Sequence, residues 1–160
     1  MPVDPALYSS ESGDWGTPKS FMEVLCHKFG DFDLDVAADW SNYKAPAFYT
    51  EAEDGLSEDW WGTVYCNPPY GRNIGDWLHK AYDAQTRVGV DRVHKVVMLV
   101  PSRTDTKWWH DFAMKAAEIY LVRGRLRFEG APSSAPFPSA VLVFNPFHTA
   151  PQIFSALDRE

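Results

Sequence analysis

Two hydrophobic spacings alternate along the chain and predict an order of helices and strands. Apolar residues from Phe21 to Phe29 recur at helical spacing. We therefore expect a helix with Thr17 as its N-cap and Pro18 at its first position, ending near Gly30. The elements expected after this helix, in chain order, are a strand at 32–37, an irregular region at 39–60 with a short strand near Phe48, a strand at Thr63–Cys66, a helix from Ile74 to Tyr82, a strand at Lys95–Pro101, a helix over Trp109–Ala116, and two strands at Ile119–Phe128 and Ala140–Phe144.

Strands that alternate with helices predict an α/β fold, with a mostly parallel central sheet and helices on both faces. The last two predicted strands, joined by a loop rich in Pro and Ser, would close the chain as a pair. In such sheets ligands bind beyond the carboxyl ends of the strands. Asp35 and the sequence Asn67-Pro68-Pro69-Tyr70 both fall at the carboxyl end of a predicted strand, so we expect them to share one crevice.

The composition is that of a globular protein. The chain has 160 residues, 45% of them hydrophobic and 15% aromatic, which suffices for one sizeable core and argues against disorder. We expect a single domain over residues 1–160, with residues 1–14 flexible. No run approaches the roughly 20 apolar residues of a membrane span, and the N-terminal Met-Pro-Val-Asp lacks the basic and apolar parts of a signal peptide. The expectation is a cytoplasmic protein without a membrane partner.

The cysteines and histidines lack the spacing of metal ligands. Cys26 and Cys66 lie far apart in the sequence, so we expect two reduced, buried thiols. The five histidines show no ligand spacing either, and we expect no metal.

Charge is divided unevenly along the chain. The formal net charge is −7, which by itself argues against a nucleic-acid partner. Residues 1–60, however, carry 3 Lys/Arg against 13 Asp/Glu, whereas residues 61–160 carry 12 against 9. A polyanion would be repelled by the first part and tolerated by the second, although ordinary scatter of solvated charge would give the same counts.

The sequence Asn67-Pro68-Pro69-Tyr70 suits methyl transfer to an amine on a planar ring such as adenine. The lone pair of that amine is delocalised, so it must be localised and directed at the methyl carbon. The side-chain carbonyl of Asn67 and the backbone carbonyl of Pro68 can accept from the two amine hydrogens, and the prolines stiffen the turn that holds them. Tyr70 offers a ring for base stacking, and a base in a duplex must first flip out. A plain turn after a strand would use the same residue types.

Seven separated blocks of the sequence carry a resemblance to a known family. The blocks are Trp15–Pro18, Phe32–Ala38, Glu53–Leu56 with Trp60, Cys66–Tyr70 with Trp77 and Lys80-Ala81, Val100–Thr106 with Trp108-Trp109, Gly124–Phe128, and Ala135–Ser139. In this order they resemble the small phage-type DNA N6-adenine methyltransferases, the Dam-like phage family, over most of the chain.

The resemblance implies a Rossmann-like methyltransferase fold, S-adenosylmethionine as the methyl donor and double-stranded DNA as the partner. Asn67, Pro68, Pro69 and Tyr70 match the catalytic motif. Asp35 would meet the amino group of the cofactor and Asp54 the amine of its adenine. The residues expected to bind the cofactor are Trp15, Thr17, Pro18, Asp35, Ala37, Asp54, Leu56 and Asn67, with Thr17 and Pro18 beside the methionine end.

Two points depart from larger methyltransferases. The cofactor motif lacks their glycine-rich loop, and the sequence leaves open whether Glu51 or Glu53 holds the ribose hydroxyls. We expect no separate target-recognition domain in a chain of this length, so that specificity would come from loops or from a second subunit in a homodimer.

Four arginines are candidates for contacts with DNA. Arg123, Arg125 and Arg127 alternate along a predicted strand, which would put them on one face toward phosphates, although a solvated outer face is the alternative. Arg103 follows a buried strand and opens a helix, for which Thr104 or Asp105 would be the N-cap. We expect Trp109 to be a core residue and leave Trp108 open between core and base stacking.

Three other functions are alternatives to DNA methylation. The motif Asn-Pro-Pro-Tyr also occurs in methyltransferases that act on RNA bases and on glutamine amides of proteins, since all these targets are planar nitrogens. A DNA-binding or protein-binding module that keeps the fold without turnover is a further alternative, against which Asp35, Asp54 and Asn67 argue. A nicotinamide oxidoreductase is excluded because the Gly-x-Gly-x-x-Gly fingerprint is missing.

Overall fold

A computed structural model describes residues 16–86, 92–147 and 152–160, except for the side chains of residues 152 and 154–156. Trp15 and the N-terminal segment expected to be flexible lie outside these residues. The elements are α1 (Lys19–Phe29), β1 (Leu34–Asp35), β2 (Ala47–Phe48), β3 (Gly62–Cys66), α2 (Ile74–Thr86), β4 (Val93–Pro101), α3 (Lys107–Asp111), a 3₁₀ turn (Ala113–Lys115), β5 (Glu118–Arg123), β6 (Ser139–Phe144) and β7 (Gln152–Asp158).

All seven strands join one sheet in the order β2-β1-β3-β4-β6-β5-β7. Strand β6 runs antiparallel to its neighbours β4 and β5, and the other strands run in one direction. The described residues therefore form a mixed α/β structure with a seven-stranded, mostly parallel sheet and three α-helices, as the alternating pattern predicts. The carboxyl ends of β1 to β5 and β7, with β6 excepted, consequently lie at one edge of the sheet.

The core lies in the middle of the sheet. In β4 every residue from Val96 to Pro101 is buried, and so is every residue of β6. Continuous burial means that both faces of the sheet are covered at these two strands. Trp109 is buried as predicted, and Trp108 is half-buried and packs against the core. Cys66 is buried and Cys26 half-buried, and both are free thiols.

The first predicted strand is shorter than expected. Only Leu34 and Asp35 form the ladder of β1, because the chain turns at Val36 and Ala37. Backbone hydrogen bonds nevertheless continue on either side of it, from Asp33 N to Thr63 O (2.8 Å) and from Val36 N to Tyr65 O (3.2 Å). The short strand expected near Phe48 is present as β2.

The prediction for the end of the chain was wrong in two respects. The strand expected over residues 119–128 ends at Arg123, since Gly124 adopts φ +77°, a left-handed conformation that leaves the strand. Strands β5 and β6 do pair, but they do not close the chain, because β7 follows and adds to the outer edge of β5.

The predicted caps were also wrong. Helix α1 begins at Lys19 after Pro18, without a side-chain cap, because the hydroxyl of Thr17 is hydrogen-bonded elsewhere. In α3 the cap is Thr106, whose Oγ1 accepts from Trp109 N at 3.3 Å, rather than Thr104 or Asp105.

None of the helices within the described residues has the length and apolar character needed to cross a membrane.

Gln85 ties helix α2 to the sheet. Its buried Oε1 accepts from the backbone N–H groups of Ala117 (2.9 Å) and Asn145 (3.1 Å), and its Nε2 donates to the carbonyl of Lys115 (2.7 Å). One side chain thus pairs three backbone groups next to β5 and β6.

We expect Gln85→Leu to lower the free energy of unfolding by about 3 kcal/mol, because three backbone groups lose their partner at once. The neighbouring exposed substitution Thr86→Ala should change it by less than about 0.5 kcal/mol. Urea denaturation followed by circular dichroism measures both. Equal stability of the two variants would show that Gln85 does not hold the helix to the sheet.

Candidate active site

A cavity of about 580 Å³ lies beyond the carboxyl ends of β1, β2 and β3. The segments that follow these three strands form its walls, as expected for ligand sites in sheets of this kind. Its volume is within the range of small-molecule sites.

Asp35 ends β1 and is almost completely buried in the cavity wall. Burial raises the pKa of its carboxyl to about 6, against the opposing effect of two backbone donors. These donors are Lys44 N, 3.0 Å from Oδ2, and Ala37 N, 3.3 Å from Oδ1. A buried carboxylate with a perturbed pKa in a cavity is a typical feature of a functional site.

Asn67 follows β3, and its amide is oriented by Thr17. Asn67 Nδ2 donates to Thr17 Oγ1 at 3.3 Å, and the Thr17 hydroxyl is also hydrogen-bonded to the hydroxyl of Tyr65. Tyr65 is buried, so burial raises the pKa of its phenol well above the usual value and keeps it neutral. The segment before α1 is thereby bound to the end of β3, and the Asn67 side chain is held at the cavity wall.

Pro68, Pro69 and Tyr70 continue the same wall. The ring of Tyr70 is buried, with Phe128 and Phe137 in edge contacts at centroid distances of 6.3 and 5.6 Å. Its hydroxyl donates to the carbonyl of Leu99 at 3.5 Å. Packing on several sides fixes the ring plane next to the cavity.

Asp54 also lines the cavity and has φ +58°, a left-handed conformation that costs a non-glycine residue about 1 kcal/mol. The loop that carries it is fixed from both sides. Trp60 Nε1 donates to the carbonyl of Gly55 (2.8 Å), and Lys80 Nζ donates to that of Leu56 (2.8 Å). A strained residue kept in place by its surroundings is typical of a functional site.

The structure brings most of the predicted cofactor and catalytic residues together. Nine of them line the cavity: Thr17, Asp35, Ala37, Asp54, Leu56, Asn67, Pro68, Pro69 and Tyr70. Pro18 precedes α1 and is not part of the lining, and Trp15 lies outside the described residues. Of the two acids left open for the ribose, Glu51 lines the cavity, whereas the carboxylate of Glu53 is bound by Thr50.

Several lining residues were missed in the sequence, among them Asn42, Lys44, Tyr65 and Trp77. Asn42 and Lys44 belong to a turn-rich region without periodicity, so no local pattern could indicate which side chains face inward. Tyr65 carried a usable signal, because a polar-tipped side chain within a short buried strand needs a hydrogen-bond partner.

The cavity walls contain buried polar atoms without a hydrogen-bond partner, and the backbone is closely packed at Gly55. Asn42 Oδ1 and Trp77 Nε1 are buried without a hydrogen-bond partner in the described part of the chain, and both residues line the cavity. A Cβ at Gly55 would lie 2.0 Å from the carbonyl oxygen of Val36, so the backbone approaches closely there.

The charged lining residues are four acids and one base, Lys44, which favours a ligand with positive charge. No group of three or more metal-ligating side chains occurs in residues 16–86, 92–147 and 152–160.

None of the four predicted DNA-contacting arginines lines the cavity. Arg103 follows β4 and Arg123 ends β5, with its Nε 3.7 Å from Asp158 Oδ1. The expectation that one strand aligns Arg123, Arg125 and Arg127 was wrong, because β5 ends at Arg123. All three side chains are nevertheless exposed, and Arg127 Nε donates to the carbonyl of Ala131 at 3.1 Å.

These features define an α/β protein with an acidic ligand cavity and an Asn-Pro-Pro-Tyr motif in its wall. Residues 6–160 match the family described as DNA N-6-adenine-methyltransferase (Dam). The chain belongs to this family.

Two curated relatives carry the same description. The DNA N-6-adenine-methyltransferase of Escherichia phage T1 is 30% identical over 115 residues, which are 70% of this chain and 45% of that protein. The DNA N-6-adenine-methyltransferase of Haemophilus phage HP1 is 32% identical over 123 residues, 74% of this chain and 68% of that protein. The chain thus spans less than half of the phage T1 relative and about two thirds of the phage HP1 relative.

The raised pKa of Asp35 predicts that the free energy of unfolding depends on pH. Because the folded-state pKa of about 6 exceeds the ordinary 3.8, the protonated carboxyl stabilises the fold below pH 4, and this contribution is lost as pH rises through 6. The loss amounts to about 3 kcal/mol. Relative to Asp35→Asn, the wild type should therefore lose stability between pH 4 and pH 7 in urea denaturation. Parallel pH profiles of the two proteins would contradict a shifted carboxyl.

Proposed function

We propose that this chain transfers a methyl group from S-adenosylmethionine to the N6 amine of a flipped-out adenine in double-stranded DNA. The observation that carries the proposal is the shared cavity, in which an oriented Asn67 and a buried Asp35 face the same space. Family membership supports both the donor and the substrate. A Rossmann-like methyltransferase fold with helices on both faces agrees with the mostly parallel sheet and with the buried strands β4 and β6.

The residues of the cavity fit this cofactor. Asp35 would accept from the ammonium of its methionine end, next to Thr17 and Pro18, and Trp15 would belong to the same subsite. Asp54 would accept from the adenine amine, beside Leu56. Glu51 would bind the ribose hydroxyls. When bound, S-adenosylmethionine supplies a methyl group activated by a positively charged sulfur, and four acidic side chains among the lining residues favour that charge.

Asn67 and Pro68 would bind the target amine. Their two carbonyl oxygens accept from its two hydrogens and draw the nitrogen toward tetrahedral geometry, which frees its lone pair. The hydrogen bond from Asn67 Nδ2 to Thr17 fixes the amide in advance, so no reorientation is needed during the reaction. Tyr70 would stack on the base, and its packing against Phe128 and Phe137 limits ring motion.

DNA would approach along the edge of the sheet from β4 to β7. Arg103 and Arg123 lie at this edge, and Arg125 and Arg127 follow β5. All four would contact phosphates. The proposed donor and substrate both occur in the cytoplasm, so we place the reaction there, in the host cell if a phage encodes the protein.

Transfer of a labelled methyl group from S-adenosylmethionine to unmethylated double-stranded DNA tests the reaction. We expect label in N6-methyladenine, and a loss of about 100-fold or more in kcat for Asn67→Ala, because an oriented acceptor is removed. Asn145→Ala, remote from the cavity, is the matched control and should keep wild-type activity.

Label in RNA or in a protein glutamine, with none in DNA, would overturn the choice of substrate. Cofactor binding without transfer to any of these would indicate a binding module. Full activity of Asn67→Ala would remove the motif from the mechanism.

Binding of DNA to the basic edge is tested by salt dependence. We expect Arg125→Gln to weaken binding of duplexes of any sequence. The negative slope of log K against log salt should become less steep by about 1. The control is Arg92→Gln, since Arg92 precedes β4 at the opposite edge of the sheet. Fluorescence anisotropy between about 50 and 200 mM salt measures both, and equal slopes for the two variants would exclude this edge as the DNA surface.

A further inference from the structure

Lys44 has an unusual position in the cavity. It is the only basic side chain among the described residues of the lining, which also includes four acids. Its backbone N–H binds Asp35 Oδ2 at 3.0 Å, so Lys44 is attached to the very residue proposed to meet the cofactor ammonium. Its side chain is largely buried, with 15% exposed.

The ammonium of Lys44 is held by Glu129. Lys44 Nζ lies 3.2 Å from Glu129 Oε1, and the backbone N–H of Glu129 donates to the carbonyl of Gly16 at 2.9 Å. A Cβ at Gly16 would lie 1.9 Å from Asn42 Nδ2 and 2.6 Å from Glu129 Oε2, so these three segments pack closely at the cavity wall. Glu129 itself is not part of the lining.

The acidic side chains of the cavity cannot bind the carboxylate of the proposed cofactor. Its methionine end carries a carboxylate beside the ammonium, and a carboxylate next to Asp35 would be repelled unless a cation lies nearby. Lys44 supplies the cation at this wall. Its pair with Glu129 is partly exposed, with 44% of the Glu129 side chain accessible, and such pairs are weak enough to yield to a ligand.

We propose that Lys44 binds the carboxylate of the methionine end of S-adenosylmethionine, next to Asp35, and gives up its contact with Glu129 to do so. The proposal rests on the proposed function and names a residue of its donor subsite. Asp35 and Lys44 together would then recognise both charges of the amino acid, which favours a ligand with both charges over one that carries only the ammonium.

Calorimetric binding of S-adenosylmethionine and of decarboxylated S-adenosylmethionine to the full chain tests the contact. We expect Lys44→Met to weaken binding of S-adenosylmethionine by about 10- to 100-fold, the range for a charge-assisted hydrogen bond, and to leave binding of the decarboxylated ligand nearly unchanged. Glu129→Gln should retain the preference for the carboxylate. Lys107→Met, which removes an exposed lysine paired with Asp111, should match the wild type.

The outcomes separate the two proposals. Equal weakening for both ligands, or no weakening for either, overturns the role of Lys44 while the proposed function stands. Wild-type protein that binds neither ligand overturns the proposed function. Thermal unfolding of each variant identifies a general loss of structure, and Lys44→Arg, which keeps the charge, should restore much of the discrimination between the two ligands.

Discussion

The register between β1 and β3 is the constraint on which the site depends. It places Asp35 opposite Tyr65, whose hydroxyl binds Thr17, which in turn orients Asn67. A shift by one residue would turn every side chain of β1 to the other face of the sheet and move Asp35 out of the cavity wall. A strand of two residues could not specify this register by its own ladder.

Two hydrogen bonds between Asp33 and Thr63 also fix this register. The Asp33 carboxylate accepts from Thr63 N at 2.8 Å, and its backbone N–H donates to Thr63 O at the same distance. Gly62 takes φ +69° there, and a Cβ at this position would lie 2.5 Å from Asp33 Oδ2. The side chain and the glycine together hold the first residues of β3 against β1, so the carboxylate and the amide of the site reach the same edge.

Acidic and basic residues are separated along the edge of the sheet, as they are along the sequence. The segments after β1 and β2 bring the acids to the cavity, whereas the ends of β4 and β5 carry Arg103 and Arg123. Because these strands are parallel, acidic and basic regions share one edge instead of opposite ends of the molecule. In the proposed reaction, the cationic cofactor and the DNA would meet at the boundary, where Asn67 follows β3. The raised pKa of Asp35 reflects the cost of keeping a carboxylate buried at that boundary.

The sequence by itself determined the order of elements as far as β6, the mostly parallel sheet and most of the candidate site. Continuous apolar runs and helical stripes are local patterns, and Asp35 and Asn67 were recognised because each lies at the carboxyl end of a predicted strand. The third C-terminal strand, the end of β5 at Gly124 and the role of Thr17 depended on contacts between distant segments. Tertiary structure alone decided that Lys44 and Asn42 face the cavity. They belong to an aperiodic region whose side-chain directions are set by hydrogen bonds to Asp35 and by packing on Gly16, and no local spacing encodes such contacts.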